Sequence, residues 1–521
     1  MSYKNLTAEQ KIGRVLCARL VKGSEADLDF TLKLLKAGAC SCVQVRIDKN
    51  APEIIKKLRA AADYPILIIN DMETGFPLAG RSSVPQLSLA ACDDPELTRA
   101  FAATVASDAK KAGFSGCWGP VVDILHGDGP CSVYRKAGDT PEGVLKLTEE
   151  IARVYDSYRF HSTAKHYPGC AHPIDTHMAE GTSPLTKEEL LSFDLVPYLE
   201  LMKKGLLRSI MTMHTVYTNI DPERPASLSK KVIDIIREQG FDGVIYTDSL
   251  AMMGILQKFG EAEAMAMALM AGNDIVLPNY RTSTEAVYEM MLDCYRRGLI
   301  SDERLDEACR RIDALCEYCA EEPENPYPIP ENIDEVLSSV PKNSITAKCA
   351  EGMSHTIDAN EPHLFIVVTD SFKSDVTEEI YELSWYSPYR VRKAILERFP
   401  KSEVVFIPEF ASAQDNDRVL RAAIPYDNVV FVSYCDTTSY LGTDCLTRRC
   451  EMLIKCLNIS GKCKTLVHFG NPLAIEDIDG MDRKIYGYRS PDTQKYAFDV
   501  LSGALEPKGK NPFPRLCKSI K

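Results

Sequence analysis

The chain has 521 residues, 45% hydrophobic and 26% charged, which is too long for one ordinary domain and too rich in core formers for a disordered, collagen-like or coiled-coil chain. Its 61 Lys and Arg against 74 Asp and Glu give a net charge of −13; with no basic run, that balance excludes nucleic acid as the expected partner. No apolar run approaches the ~20 residues that span a bilayer, so no membrane partner is expected.

The opening MSYKNLTAEQKIGRV has no apolar stretch behind its lysine, so no signal peptide is expected. Helical-period segments then alternate with short β-rich runs. Residues 26–38 predict a helix and SCVQVRI (41–47) a buried strand; 51–63 predict a helix and YPILIIND (64–71) the next strand. The rhythm pairs 94–113 with SGCWGPVVDI (115–124), 140–159 with STAKHY (162–167), 186–205 with LLRSIMTMH (206–214) and 229–239 with GVIYTD (243–248). Helix 261–272, strand NDIVLP (273–278) and helix 283–298 complete it. Short apolar runs between amphipathic helices mean βαβ units and a parallel sheet. Repeated over about 300 residues, they predict an α/β fold whose first domain, 1–322, is a TIM-type (β/α)8 barrel.

Four prolines from Pro323 to Pro330 end the barrel. Proline at this density favours an extended tether, expected here over 323–342. Beyond it HLFIVVTD (363–370), SEVVFIPE (402–409), NVVFVSY (428–434) and KTLVHFG (464–470) predict the strands of a second α/β domain, 343–521. The 18 cysteines are scattered, and the one CxxC, Cys316 to Cys319, has no second pair to complete a zinc site. Buried free thiols in a reducing cytoplasm are the expectation.

A barrel places its chemistry at the C-terminal ends of its strands. Polar residues gather there: Asp71, Asp123, Lys165 with His166, His214 and Asp248. Six of the 9 histidines fall between His126 and His214. Asp248 closes an apolar strand, so it is a candidate nucleophile, base or metal ligand; the plain alternative is a cap for the next helix. The loop KHYPGCAHPIDTHMAEG (165–181) carries Lys165, His166, His172, Asp175 and His177. A carboxylate beside an imidazole fixes its tautomer and raises its basicity, which suits a general acid. His172, Asp175 and His177 are also acceptable zinc ligands, but the early strands carry no His-x-His pair of the kind barrel metallohydrolases use. Asp71 and Glu73 read as a buried carboxylate pair for adjacent sugar hydroxyls, and Arg81 and Arg135 either as clamps for hydroxyls or a carbonyl or as plain surface arginines. Neither GxxxxGK[ST] nor a strand followed by GxGxxG is present. Trp118 reads as core.

These residues resemble glycoside hydrolase family 3, and within it the bacterial β-N-acetylglucosaminidases. KHYPGCAHPIDTH is similar to that family's Lys-His-Phe-Pro-Gly-His-Gly motif with its following Asp-Ser/Thr-His, and GVIYTDSLAMMGI to its nucleophile segment. GCWGPVVDI and YRKAGD resemble its Ala-Pro-Val-x-Asp and Arg-Ser-Phe-Gly-Asp. The chain departs at Cys170, Ala171, Thr74 and Ser249, and Arg81 sits off its usual spacing.

The resemblance implies a barrel followed by an α/β sandwich, with Asp248 as nucleophile and His177, paired with Asp175, as general acid/base. It implies that Lys165, His166, Asp71, Arg135 and Arg81 hold the sugar, with His214 lining the pocket. The implied enzyme is an exo-acting, retaining β-N-acetylhexosaminidase needing no metal or organic cofactor. Its partner is a small saccharide containing N-acetylglucosamine, such as a cell-wall turnover fragment, and water or phosphate is the acceptor. The rivals are a same-fold β-glycosidase or phosphorylase for another sugar, a catalytically silent sugar-binding protein and a metallohydrolase.

Overall fold

Seven parallel strands lie side by side in chain order in the computed structural model: β1 Cys17–Leu20, β2 Cys42–Val45, β3 Leu67–Asn70, β4 Gly116–Cys117, β5 His161–Tyr167, β7 Ser209–Thr212 and β9 Val244–Thr247. A separate pair, β6 Gly181–Ser183 and β8 Thr215–Tyr217, stands outside this sheet. Ile275 bridges to Tyr246 of β9 and Val276 to Leu16 beside β1, which closes the ring. The Cys17 N–H donates to the Val276 carbonyl at 3.0 Å across this seam. A TIM-type barrel is the result. The structure describes residues 3–81, 83–127, 132–170, 174–369, 385–435, 446–490 and 492–517.

Alternation along the strands sorts the barrel's two cores. Val244 and Tyr246 of β9 cluster with Cys17, Cys42, Leu67, Ile69, Trp118 and Met211. Ile245, one step out of phase, clusters instead with Ile210 and with Val232 and Ile236 of the helix Lys230–Glu238. That helix starts where it does because the Ser229 side chain accepts the Val232 N–H. Trp118 is buried and meets Tyr246 edge-on at 6.2 Å, a core residue as its sequence context suggests.

The structure departs from the sequence reading in several places; NDIVLP (273–278), expected as a strand, pairs only through isolated bridges at Ile275 and Val276. β1 was not predicted. The helix expected over 186–205 is two, Lys187–Ser192 and Val196–Lys203, with Pro197 in the first turn of the second. SGCWGPVVDI pairs as a strand only at Gly116–Cys117; past Pro120, which has no N–H to give, a single bridge joins Val121 to Lys165. The tether expected over 323–342 is not extended throughout, for it contains the helices Ile333–Ser338 and Val340–Asn343.

The chain divides into two compact units, with the break between Asp334 and Glu335. Two segments of the N-terminal half, 84–94 and 131–139, group with the second unit. The second unit holds β10 Thr346–Cys349, β11 Leu364–Thr369, β12 Glu403–Pro408, β13 Val429–Cys435, β14 Cys463–Gly470 and β15 Arg483–Gly487 in the order β10-β15-β14-β13-β11-β12. Only β10 is antiparallel, against β15. The parallel strands therefore follow the doubly wound order of an open α/β sheet. Phe365, Val367, Val432, Val467 and Phe469 pack there on Val391, Ile395 and Phe498 of the helices Pro388–Arg398 and Thr493–Leu501. Among the described residues no helix is long and apolar enough to cross a membrane.

Candidate active site

Asp248 stands one residue past β9, with its N–H held by the Thr212 carbonyl at 2.8 Å. The residue is partly exposed, and its carboxylate accepts the Ser249 N–H at 2.6 Å. Burial by itself would push this carboxyl up. The positive potential of His166 and His214, the Ser249 N–H and the charge of His177 outweigh it and hold the group at about 2. Asp248 is therefore held as an anion near neutral pH, the form a nucleophile needs.

The loop after β5 is docked onto the segment after Asp248 by main-chain bonds. The Gly254 N–H donates to the Thr176 carbonyl at 3.1 Å and the Met253 N–H to the His177 carbonyl at 3.4 Å. A Cβ at Gly254 would lie 3.3 Å from the Thr176 oxygen and 3.4 Å from that of Ala179, so only glycine permits this approach without a shift. On the docked loop, Asp175 is buried and accepts both the His177 Nδ1–H at 2.8 Å and the His177 N–H at 3.0 Å. A carboxylate can only accept, so Nδ1 carries the proton and any proton transfer by His177 runs through Nε2.

A second imidazole–carboxylate pair stands beside it. Asp123, 3% exposed, accepts the His166 Nδ1–H and the His166 N–H, both at 2.8 Å. Lys165, 2% exposed, reaches Asp71 at 2.6 Å and Glu73 at 2.5 Å. A polar ladder runs along the tops of the first strands. The Arg19 Nε–H donates to Gln44 at 2.7 Å, and Gln44 donates to Asn70 at 3.2 Å. Asn70 accepts the Asp71 N–H at 2.8 Å. Arg19 also donates to the Ser249 hydroxyl at 2.6 Å, so the ladder ends beside Asp248.

An ionised carboxylate, a carboxylate-held imidazole and a lysine–carboxylate cluster on one barrel rim are the parts of a glycoside-cleaving site. The model of the glycosyl hydrolase family 3 N terminal domain matches residues 35–315. The chain belongs to glycosyl hydrolase family 3. A beta-hexosaminidase of Xanthomonas campestris pv. campestris is 31% identical over 237 residues, 43% of this chain and 71% of that protein. Two solved structures share the fold over nearly the whole chain. A glycoside hydrolase family 3 beta-N-acetylglucosaminidase from Paenibacillus sp. has TM-score 0.78 at 23% identity, covering 98% of this chain and 100% of that one. The beta-glucoside phosphorylase BglX has TM-score 0.79 at 20% identity, covering 99% and 95%.

The family 3 barrel brings Asp248, His177, Asp175, Lys165, His166 and Asp71 to strand ends and to the loops above them, and it corrects three expectations. Arg81 is drawn away: it pairs with Asp334 at 2.6 Å and with Asp108, in the last turn of the helix Pro95–Lys111. That end of the helix leads into the base of β4, so the guanidinium serves the barrel's flank. His214 is fully buried, donating to the Ser249 carbonyl at 3.0 Å and accepting from Ser227 at 2.8 Å. Burial depresses its basicity against the pull of Asp248, and with both ring nitrogens engaged it props the Asp248 segment and has none for a sugar. Asp71 is exposed rather than half of a buried pair. Arg135 ends the 3-10 turn Val133–Arg135, in a segment of the second unit.

The sequence reading missed Arg19 along with the strand that carries it. The signal was present, since VLCA is an apolar run and Arg19 follows at its C-terminal end. Asp123 was named as a strand-end residue without a role; its partner His166 supplies one. His172, weighed as a zinc ligand, lies outside the described residues. Among the described residues no group of three His, Cys, Asp or Glu is placed to hold a metal ion.

Proposed function

We propose that this family 3 glycosidase is an exo-acting, retaining β-N-acetylhexosaminidase that removes terminal β-linked N-acetylglucosamine. The observation that carries the reading is the main-chain docking of the Asp175–His177 loop on the segment after Asp248. Asp248 attacks the anomeric carbon while His177 gives its proton to the departing oxygen, and a glycosyl-enzyme forms. His177 then takes a proton from water, which opens that ester and retains configuration. Asp175 keeps Nδ1 protonated, so the proton moves through Nε2. Lys165, His166 and Asp71 bind sugar hydroxyls. The Xanthomonas beta-hexosaminidase and the Paenibacillus beta-N-acetylglucosaminidase support an acetamido sugar.

A second reading, a glycosidase or phosphorylase for a sugar without the acetamido group, draws on the equally complete likeness to a beta-glucoside phosphorylase. Hydrolysis of aryl N-acetyl-β-glucosaminide and aryl β-glucoside, with and without phosphate, separates the two. Preferred turnover of the acetamido substrate, with a loss of about 10²- to 10⁴-fold in His177→Ala, is expected. Faster turnover of the glucoside would transfer the assignment to the second reading. No turnover of either would point to a sugar-binding role.

A further inference from the structure

The seam where the barrel closes carries a concentration of positive charge that the glycosidase mechanism does not use. Tyr280 follows the closing segment, and three cations surround its ring. The Arg281 guanidinium carbon lies 4.7 Å from the ring centroid, that of Arg19 5.2 Å, and the Lys22 ammonium 5.8 Å. Lys22 and Arg281 are exposed, while Arg19 and Tyr280 are half-buried. Among the described residues no carboxylate lies within 4.0 Å of any of the three cations. In a chain of net charge −13, cations elsewhere repeatedly take carboxylate partners; Asp242, for one, holds both Arg310 and Arg311. Here the face of an aromatic ring does part of that work, and Asp248 and Asp71 act on Arg19 through space rather than by direct pairing.

The cluster is tied to the reacting carboxylate. Arg19 is fixed on three sides, by Gln44 at 2.7 Å, the Pro278 carbonyl at 2.9 Å and the Ser249 hydroxyl at 2.6 Å, and Ser249 follows Asp248. Lys22 and Arg281 extend the charge outward from that anchor. A fixed guanidinium backed by two exposed cations is a receptor for a compact anion, because the geometry is set beforehand and only the outer charges must settle. A terminal neutral sugar offers such a group hydroxyls to accept its hydrogen bonds but no charge to neutralise it.

We propose that Arg19, Lys22 and Arg281, gathered round Tyr280, form an anion subsite beside Asp248 that takes a carboxylate or phosphate group. The proposal rests on the glycosidase reading for its place in the reaction, and the anion has two possible sources. It is borne by the leaving group of the substrate, or it is free phosphate acting as acceptor. In the second case a phosphate oxygen forms the new bond to C1, the bond from C1 to the Asp248 oxygen breaks, and its electron pair returns to the carboxylate. The product is a sugar 1-phosphate.

The test compares wild type with Lys22→Glu/Arg281→Glu and with the neutral Lys22→Gln/Arg281→Gln, all changes at exposed positions. Calorimetric titration with inorganic phosphate and with glucuronate needs no turnover, so it stands even if the hexosaminidase reading fails. Wild type should bind at least one of them, with Kd raised about tenfold in the Gln pair and further in the Glu pair. Equal binding by all three proteins, or none by wild type at about 10 mM, overturns the subsite. Kinetics identify the source. A carboxyphenyl N-acetyl-β-glucosaminide should lose its kcat/KM advantage over the uncharged phenyl substrate in the charge reversal if the leaving group carries the anion. Formation of sugar 1-phosphate, reduced in the variants, identifies phosphate. An unchanged substrate ratio with no sugar 1-phosphate overturns the link to the reaction.

Discussion

The two ends of the barrel each hold a carboxylate at the junction of β9 and the closing segment, and they are treated in opposite ways. At the base, Asp274 is completely buried and crowded with donors: Arg304 at 2.5 Å, Arg237 at 2.7 Å, Arg311 at 3.2 Å and the Ile245 N–H at 2.9 Å. At the rim, Asp248 is partly exposed, takes the Ser249 N–H, and owes its ionised state chiefly to imidazoles. Saturated with guanidinium bonds, a carboxylate is a joint. Kept anionic by a surrounding field, it can still form a covalent bond. Charge alone does not distinguish a functional aspartate from a structural one; the number of direct donors does.

The largest expected effect lies at the rim. Asp248→Asn should lower kcat on the order of 10⁴-fold while leaving the urea midpoint near that of wild type; residual activity within about tenfold of wild type would break the contrast. At the base the signs reverse. Asp274→Ala leaves three buried or half-buried guanidinium groups without their common partner and should cost about 3–5 kcal/mol in unfolding experiments. A stable Asp274→Ala protein with lost activity would mean that the base is not purely structural.

Asp123→Ala tests an intermediate case, a buried carboxylate that acts through His166. Freed from its 2.8 Å bonds, the imidazole loses its fixed orientation, and kcat/KM should fall about 10²-fold. Asp123→Asn, which still accepts one of the two bonds, should recover part of that loss. Equal losses in both would argue against positioning.

The same strand offers a comparison by pH. His161, at the base of β5, is completely buried, and burial pulls its pKa from 6.5 down to about 3. The unfolded chain therefore takes up a proton first as pH falls. The stabilising contribution is whole above pH 6.5 and is lost as pH drops toward 3, by at most about 1.4 kcal/mol per pH unit. His161→Gln should flatten the fall in unfolding free energy between pH 6.5 and 5; an unchanged slope would assign it to other groups. The smallest effect is expected for Arg81→Ala. Its pairing with Asp108 and Asp334 predicts a loss of up to about 1 kcal/mol of stability and a KM within about twofold of wild type.

The barrel was legible because its staves are short apolar runs between amphipathic helices, a pattern that local sequence carries. β1 escaped because the apolar run before Arg19 is only four residues, VLCA, and follows a helical segment with no glycine or proline between them to mark a turn. The rim residues Asp248, Asp175, His177, Lys165 and His166 were legible as strand-end and loop chemistry. Arg81 and His214 were placed with them because their types suit a sugar, yet their partners Asp108, Asp334, Ser227 and Ser249 are set by tertiary folding. The excursions 84–94 and 131–139 into the second unit left no local mark either.

The bonds that seat the Asp175–His177 loop on the segment after Asp248 are made by peptide groups, with Gly254 the one position whose side chain they constrain. Every residue has a peptide group, so most substitutions along either segment leave this seat in place. The placement of the Asp175–His177 loop against the Asp248 segment is thereby insensitive to most side-chain changes, and such a design lets surfaces diverge while the spacing is kept. Variation in the neighbouring rim then costs little chemistry. A lineage can change what its enzyme cleaves without reinventing how it cleaves.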